Sequence, residues 1–229
     1  MPSMEPERRF LPIDTARLRA ESGDSGTMII EGHPILYGVL TTLYRDDEYE
    51  LREIIMPGAA AEALKAGEEV LLWNHDSSQP MARRKNGTLE ASEDASGVFM
   101  RADVARTVWG RNGYEAIKEN TVDAMSFGFF LASDGYKWER EKKDGRIIDT
   151  RTITRFSRIV DYSPVTYPAY KDTDVQARSK ELALKTRPEM SDQVPDGDTA
   201  QRAQEAKAIR ASIQKNLDEF EERKKTWIH

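Results

Sequence analysis

Between residues 28 and 165 apolar side chains recur mostly at every second position, in short runs broken by Gly, Pro, Asp and Asn. Met28-Ile29-Ile30, Ile35–Leu40 and the alternating stretch Tyr49–Ile55 read as strands, preceded by a strand-like stretch at Ala16–Glu21 and a turn at Gly23–Gly26. Val70-Leu71-Leu72-Trp73 is a compact apolar strand running into Asn74-His75-Asp76, and Ser77–Met81, with Pro80, reads as loop. Thr88–Ser92 and Val98–Val104 flank a polar turn, Glu93–Gly97, and predict a hairpin. Tyr136–Glu139 and Arg146–Ile153 predict another around Lys143-Asp144-Gly145, since Asp-Gly suits a tight hairpin turn. Phe156–Tyr162 is a further strand, ended by Pro164 and Pro168. Helices are expected at Ala59–Ala66, stopped by Gly67, and at Trp109–Glu119, capped by Thr107.

Val122–Leu131 carries the sharpest pattern. Met125, Phe127, Phe129 and Leu131 make one face bulky, while Ala124, Ser126 and Gly128 leave the other bare around a hydroxyl. The bare face leaves space where another backbone could lie. About ten short strands with two or three helices make the chain mainly β (α+β), and a closed or nearly closed β-barrel with peripheral helices is the expected architecture.

The pattern changes after Asp174. Residues 1–15 are charged and weakly periodic and are expected to be flexible, with the barrel domain over 16–177. Residues 178–197, with Pro188, Pro195 and Gly197, read as a linker. Residues 198–229 are expected to hold an amphipathic helix, with Ala206, Ile209, Ile213, Leu217 and Phe220 on one stripe. Such a stripe suits packing on the barrel, and the linker before it favours a partner or self-association.

Composition narrows the chemistry. The chain is 38% hydrophobic and 32% charged with a net charge of −6, which disfavours a nucleic-acid partner. No apolar run is long enough for a membrane span, and Met1–Arg9 lacks the apolar region of a signal peptide. Cysteine is absent, which removes disulfides, thiol nucleophiles and thiolate metal sites, and fits an intracellular protein. The three histidines are His33, His75 and His229, without the spacing of a zinc motif, and no phosphate-binding glycine loop is present. Neither a metal nor a cofactor is expected.

Any catalysis must therefore use hydroxyls, carboxylates and few imidazoles. Serine attacks well only when a base takes its proton, and imidazole is the usual base. His75 ends an apolar strand and is held rigidly. His33, in Gly-His-Pro, reads as a surface turn residue, and His229 is terminal. Asp161 lies inside the apolar strand Arg158–Tyr162, where a carboxylate is costly unless paired. A pair with Arg158 or another arginine would explain it, and so would a role in orienting His75. The residues alone reach a candidate serine hydrolase and no further.

The order Glu31-Gly32, Arg52–Ala59, Leu71–Asp76, Met125–Phe129 and Ser163–Ala169 resembles the tailed-phage prohead proteases, capsid maturation enzymes related to herpesvirus assemblin. The resemblance runs from about Ala16 to Val175, with the motifs in the family's order. It implies a serine endopeptidase on a herpesvirus-protease-like barrel, packaged in the procapsid within the host cytoplasm. There it would remove scaffold segments from the major capsid protein and digest scaffold and itself. It also implies Ser126 as nucleophile, His75 as base and Asp161 as third member, where many relatives carry glutamate. Backbone N–H groups in the loop Val165–Lys171 are the expected oxyanion donors.

Two other readings remain. One is a non-catalytic assembly scaffold that keeps the protease barrel, against which the joint presence of Ser126, His75 and an acid counts. The other is an esterase of another fold, disfavoured because Ser126 lies within a strand and lacks the Gly-x-Ser-x-Gly elbow.

Overall fold

A computed structural model of the chain describes residues 5–12, 16, 18–22, 26–122, 124–166 and 180–189. In chain order the strands are β1 (Glu7–Pro12), β2 (Arg19–Ser22), β3 (Met28–Leu36), β4 (Thr41–Arg45) and β5 (Tyr49–Ile55), then β6 (Val70–Trp73), β7 (Asp76–Arg83), β8 (Leu89–Glu93) and β9 (Gly97–Asp103). β10 (Ala124–Leu131), β11 (Tyr136–Lys143), β12 (Arg146–Ile153) and β13 (Phe156–Val165) follow. Helix α1 (Ala61–Ala66) lies between β5 and β6, and α2 (Val108–Lys118) between β9 and β10.

Local chemistry accounts for the connections. Asp144 and Gly145 both have positive φ, 52° and 79°, so the β11–β12 turn is the tight hairpin that Asp-Gly favours. Gly67, at φ 64°, ends α1 in the left-handed region. The Thr107 side chain accepts a hydrogen bond from the Gly110 N–H and caps α2.

The fold is mainly β, as the alternation predicts. The described strands form a five-stranded sheet in the order β1-β10-β13-β6-β7 and two four-stranded sheets, β11-β12-β5-β4 and β2-β3-β9-β8. Among the described residues no sheet closes on itself, so the closure expected of a barrel is not seen in the hydrogen bonding. Three separate ladders meet instead around one core, in which Phe127, Phe129 and Phe156 pack with ring centroids 4.9–6.3 Å apart. Ile30, Leu71, Met100, Tyr114 and Ile153 complete it from the other elements.

Several elements depart from expectation. β3 runs unbroken through His33-Pro34, absorbing the proline in a register shift between Gly32 and Ile35. β7 occupies the expected loop at Ser77–Met81, because at the sheet edge Pro80 forfeits no ladder bond that matters. β13 continues through Pro164 to Val165. β1 pairs antiparallel with β10 across residues expected to be flexible. Residues 180–184 form a helical turn, and Ala183 is buried with Leu43 and Leu51 at the start of the expected linker. The C-terminal helix expected over 198–229 lies outside the described residues.

β1 is held by charge. Arg9 donates to Glu53 at 2.6 Å and to Glu7 at 2.7 Å, while Arg151 donates to the same two carboxylates at 2.5 Å each. All four side chains are buried, and the Arg151 Nη1 also reaches the Thr186 hydroxyl at 3.1 Å. This cluster ties β1, β5, β12 and the 180–189 segment together. Burial raises the Glu53 pKa, but Arg9 and Arg151 beside it outweigh burial and hold it down to about 2. A folded pKa depressed below the unfolded value gives stability that is present above the ordinary value of 4.5 and lost as pH falls towards about 2.

Removing Arg151 leaves two buried carboxylates short of a partner. Arg151→Ala should cost about 3–5 kcal/mol, read from urea unfolding at neutral pH. Wild-type stability should also fall more steeply than the variant's as pH drops below 4.5, because Arg151 is part of what depresses Glu53. An unchanged urea midpoint would show that the cluster contributes nothing.

Candidate active site

β10 lies inside the five-stranded sheet, between β1 and β13, and its two faces do different work. Phe127 and Phe129 point into the core, which fixes the strand, and this fixes Ser126 and Gly128 on the opposite face. On β13, Ser163 pairs with Ser126 and Asp161 with Gly128, so all four residues share that face. The bare face is filled by side chains rather than by another backbone. A Cβ at Gly128 would stand 2.5 Å from the Asp161 Oδ1, so glycine there makes room for the carboxylate.

His75 comes from the neighbouring hairpin. Trp73 pairs with Asp76, leaving Asn74 and His75 as a two-residue loop with φ of 52° and 59°. Two-residue hairpins favour positive φ at both positions, usually as Asn-Gly, so a histidine in the second costs about 1–2 kcal/mol. Contacts to the end of β13 offset this. The Asn74 N–H donates to the Pro164 carbonyl at 3.1 Å, and its side chain bonds the Thr166 hydroxyl and N–H at 3.2 and 2.9 Å. The His75 N–H donates to the Ser163 Oγ at 3.2 Å. Asn74 was thus a missed signal in the sequence, since asparagine suits the first place of such a turn.

The turn brings the three expected site residues together. The His75 Nδ1 lies 2.5 Å from the Asp161 Oδ2, and the Nε2 lies 2.6 Å from the Ser126 Oγ. An ionised carboxylate only accepts, so Nδ1 carries the proton and Nε2 keeps a lone pair facing the serine hydroxyl. Ser163 donates its hydroxyl to the same Asp161 oxygen at 2.6 Å. Ser126 and Ser163 are fully buried, and the His75 and Asp161 side chains are 8% and 4% exposed. The Phe10 ring, on β1 opposite Ser126, stands edge-on to the imidazole at 6.3 Å.

The other candidates lie elsewhere. Arg158 sits 4.7 Å above the Phe130 ring, and His75 and Ser163 take its expected place as partners of Asp161. His33 is a strand residue in the β2-β3-β9-β8 sheet, bonded to Asp94 at 2.7 Å. His229 lies outside the described residues. So does most of the loop expected to supply oxyanion donors, and within it the Thr166 N–H is taken by Asn74. Among the described residues no group of His, Asp or Glu side chains is arranged to hold a metal ion.

A hydroxyl, an imidazole and a carboxylate in series are the parts that nucleophilic acyl transfer requires. The family model of the caudovirus prohead serine proteases matches residues 14–187. The chain belongs to that family. The match takes in β2 to β13, and therefore the whole Ser126–His75–Asp161 array, and leaves β1 outside. Its end at residue 187 agrees with the packing of residues 180–187 against the sheets, where Arg187 donates to the buried Asp149 at 2.6 Å. Among solved structures the bacteriophage T4 capsid assembly protease is similar at 14% identity and a TM-score of 0.34, covering 68% of this chain and 98% of that one. No curated protein matches the chain.

Proposed function

We propose that this prohead serine protease is an active endopeptidase in which Ser126 attacks the substrate carbonyl, His75 takes its proton and Asp161 orients and charges against the imidazole. The observation that carries this reading is the unbroken series from the Asp161 Oδ2 through both ring nitrogens of His75 to the Ser126 Oγ. Proton transfer from Oγ to Nε2 as the carbonyl carbon is attacked would leave an imidazolium facing a carboxylate. The amine of the cleaved bond would then take that proton, and water would release the acyl group by the same steps in reverse. Ser126 is fully covered in the free chain, so substrate reaches it only when a neighbouring group, such as the Phe10 ring across the ladder, gives way.

The family's role supports a substrate in the maturing procapsid: the major capsid protein with its scaffold segment, and the protease's own chain. The expected place of action is the interior of the procapsid in the host cytoplasm. Residues 198–229, beyond the segment packed on the sheets, would carry the protease to the shell, through self-association or a partner, and be removed by self-cleavage. Coexpression with the neighbouring capsid protein tests this. Processing that stops with Ser126→Ala supports it, and an uncut capsid protein beside well-folded wild-type protease points to a scaffold role that keeps the barrel without the chemistry.

Gly128 gives a subtler check. Gly128→Ala places a methyl 2.5 Å from the Asp161 Oδ1, and that carboxylate is short, buried and bonded at its other oxygen. Stability should fall by about 1–3 kcal/mol from overpacking, and cleavage should fall further than stability explains because Asp161 must turn away from His75. Thermal melting beside a rate on the same preparation separates the two.

A further inference from the structure

Serine 163 has no part in the proton path just described, yet it is the best-connected hydroxyl in the site. It is fully buried, sits directly across the ladder from Ser126 and makes two bonds of opposite sense. Its Oγ–H donates to the Asp161 Oδ2 at 2.6 Å, the oxygen that also receives the His75 Nδ1–H at 2.5 Å. Its lone pair accepts the His75 backbone N–H at 3.2 Å. One hydroxyl therefore grips both the carboxylate and the main chain of the residue that the carboxylate must orient.

The need for such a grip follows from the backbone. His75 is held at φ 59°, a region disfavoured for a side chain of its size, in a loop that must not relax. The Asp161 Oδ1 fills the space over Gly128, and both side-chain hydrogen bonds of the carboxylate among the described residues fall on Oδ2, so these bonds set its rotation. The Ser163 bond on Oδ2 fixes it, and the same hydroxyl pins the turn. A serine suits this task because a hydroxyl donates and accepts at once. Alanine would leave the His75 N–H without its bond and the Asp161 carboxylate held by the His75 ring alone.

We infer that Ser163 is a positioning residue, a fourth member of the array that sets the angle between Asp161 and the His75 ring without touching substrate. The inference rests on the protease reading above.

The test uses the full chain and a fluorophosphonate reagent, which needs no knowledge of the natural substrate. Ser126 Oγ attacks phosphorus, the P–F bond breaks, fluoride leaves and the hydroxyl proton passes to the His75 Nε2. In Ser163→Ala the maximal labelling rate should fall on the order of a hundredfold, as for a reacting group displaced by about 1 Å. Reagent affinity should stay unchanged and the melting temperature should move by no more than about 4 °C. The downfield proton resonance of the His75–Asp161 bond should shift or vanish in the same variant. Equal labelling rates in wild type and Ser163→Ala would overturn the inference, as would a rate loss matched by a large drop in melting temperature or an unmoved resonance. Failure of the wild type to label at Ser126 at all would overturn the protease reading itself.

Discussion

Ser126→Ala should abolish the proteolysis proposed for this chain while leaving the fold intact. The change removes one oxygen from a face on which β10 itself carries only Ala124 and Gly128 beside it, and the bulky face of β10 keeps all its core contacts. Among the described residues the hydroxyl accepts no bond that another element depends on, and its one polar partner is the His75 Nε2. Losing the nucleophile of such an array costs on the order of 10⁶ in turnover, and removing His75 as well should add almost nothing, because the two act as one unit. His33→Ala is the matched control, since His33 sits in another sheet with Asp94 as its partner. Turnover should be measured on purified protein with melting curves alongside. Processing that continues in Ser126→Ala would remove Ser126 from the chemistry, and damage from His33→Ala equal to that from His75→Ala would remove the distinction between the histidines.

The legible part of this site was the part written in periodicity and scarcity. Alternation along β10 separated Ser126 from the core side chains, and with only three histidines in the chain His75 was the one imidazole at the end of a rigid strand. Family resemblance then supplied the order of the motifs. What could not be read were features that depend on partners distant in sequence. β1 escaped because its inward side chains, Glu7 and Arg9, are charged and gain their burial only by meeting Glu53 and Arg151, so the strand shows no apolar period. β7 escaped because a proline tolerated at a sheet edge looks the same in sequence as one that breaks a strand. Closure into a barrel is likewise a property of ladder geometry, on which alternation within single strands is silent. Ser163 was visible as a residue but not as a contact. Its meaning comes from the register that sets it across from Ser126, and from a turn whose strain the local sequence shows only as Asn-His.

Asp161→Asn should separate the two explanations that the sequence left open for a carboxylate in an apolar strand. Were Asp161 an ion-pair partner, the amide would strand a buried arginine and cost about 3–5 kcal/mol. The observed partners are instead the His75 Nδ1 and the Ser163 hydroxyl, at 2.5 and 2.6 Å, so no arginine among the described residues loses its counter-charge. Asparagine keeps the volume and an oxygen that accepts, and the stability loss should stay near 1 kcal/mol, the worth of an ordinary hydrogen bond. Chemistry is hit much harder. The amide carries no charge to stabilise the imidazolium, and its NH₂ group, if turned to Nδ1, selects the tautomer in which Nε2 bears the proton and cannot accept one from Ser126. Turnover should fall on the order of ten-thousandfold. Melting temperature and turnover measured on one preparation decide the matter. A stable variant with almost no activity assigns Asp161 to orienting and charge-stabilising the His75 ring, whereas an unstable variant with normal activity per folded molecule confines it to structure and leaves His75 without its orienting group.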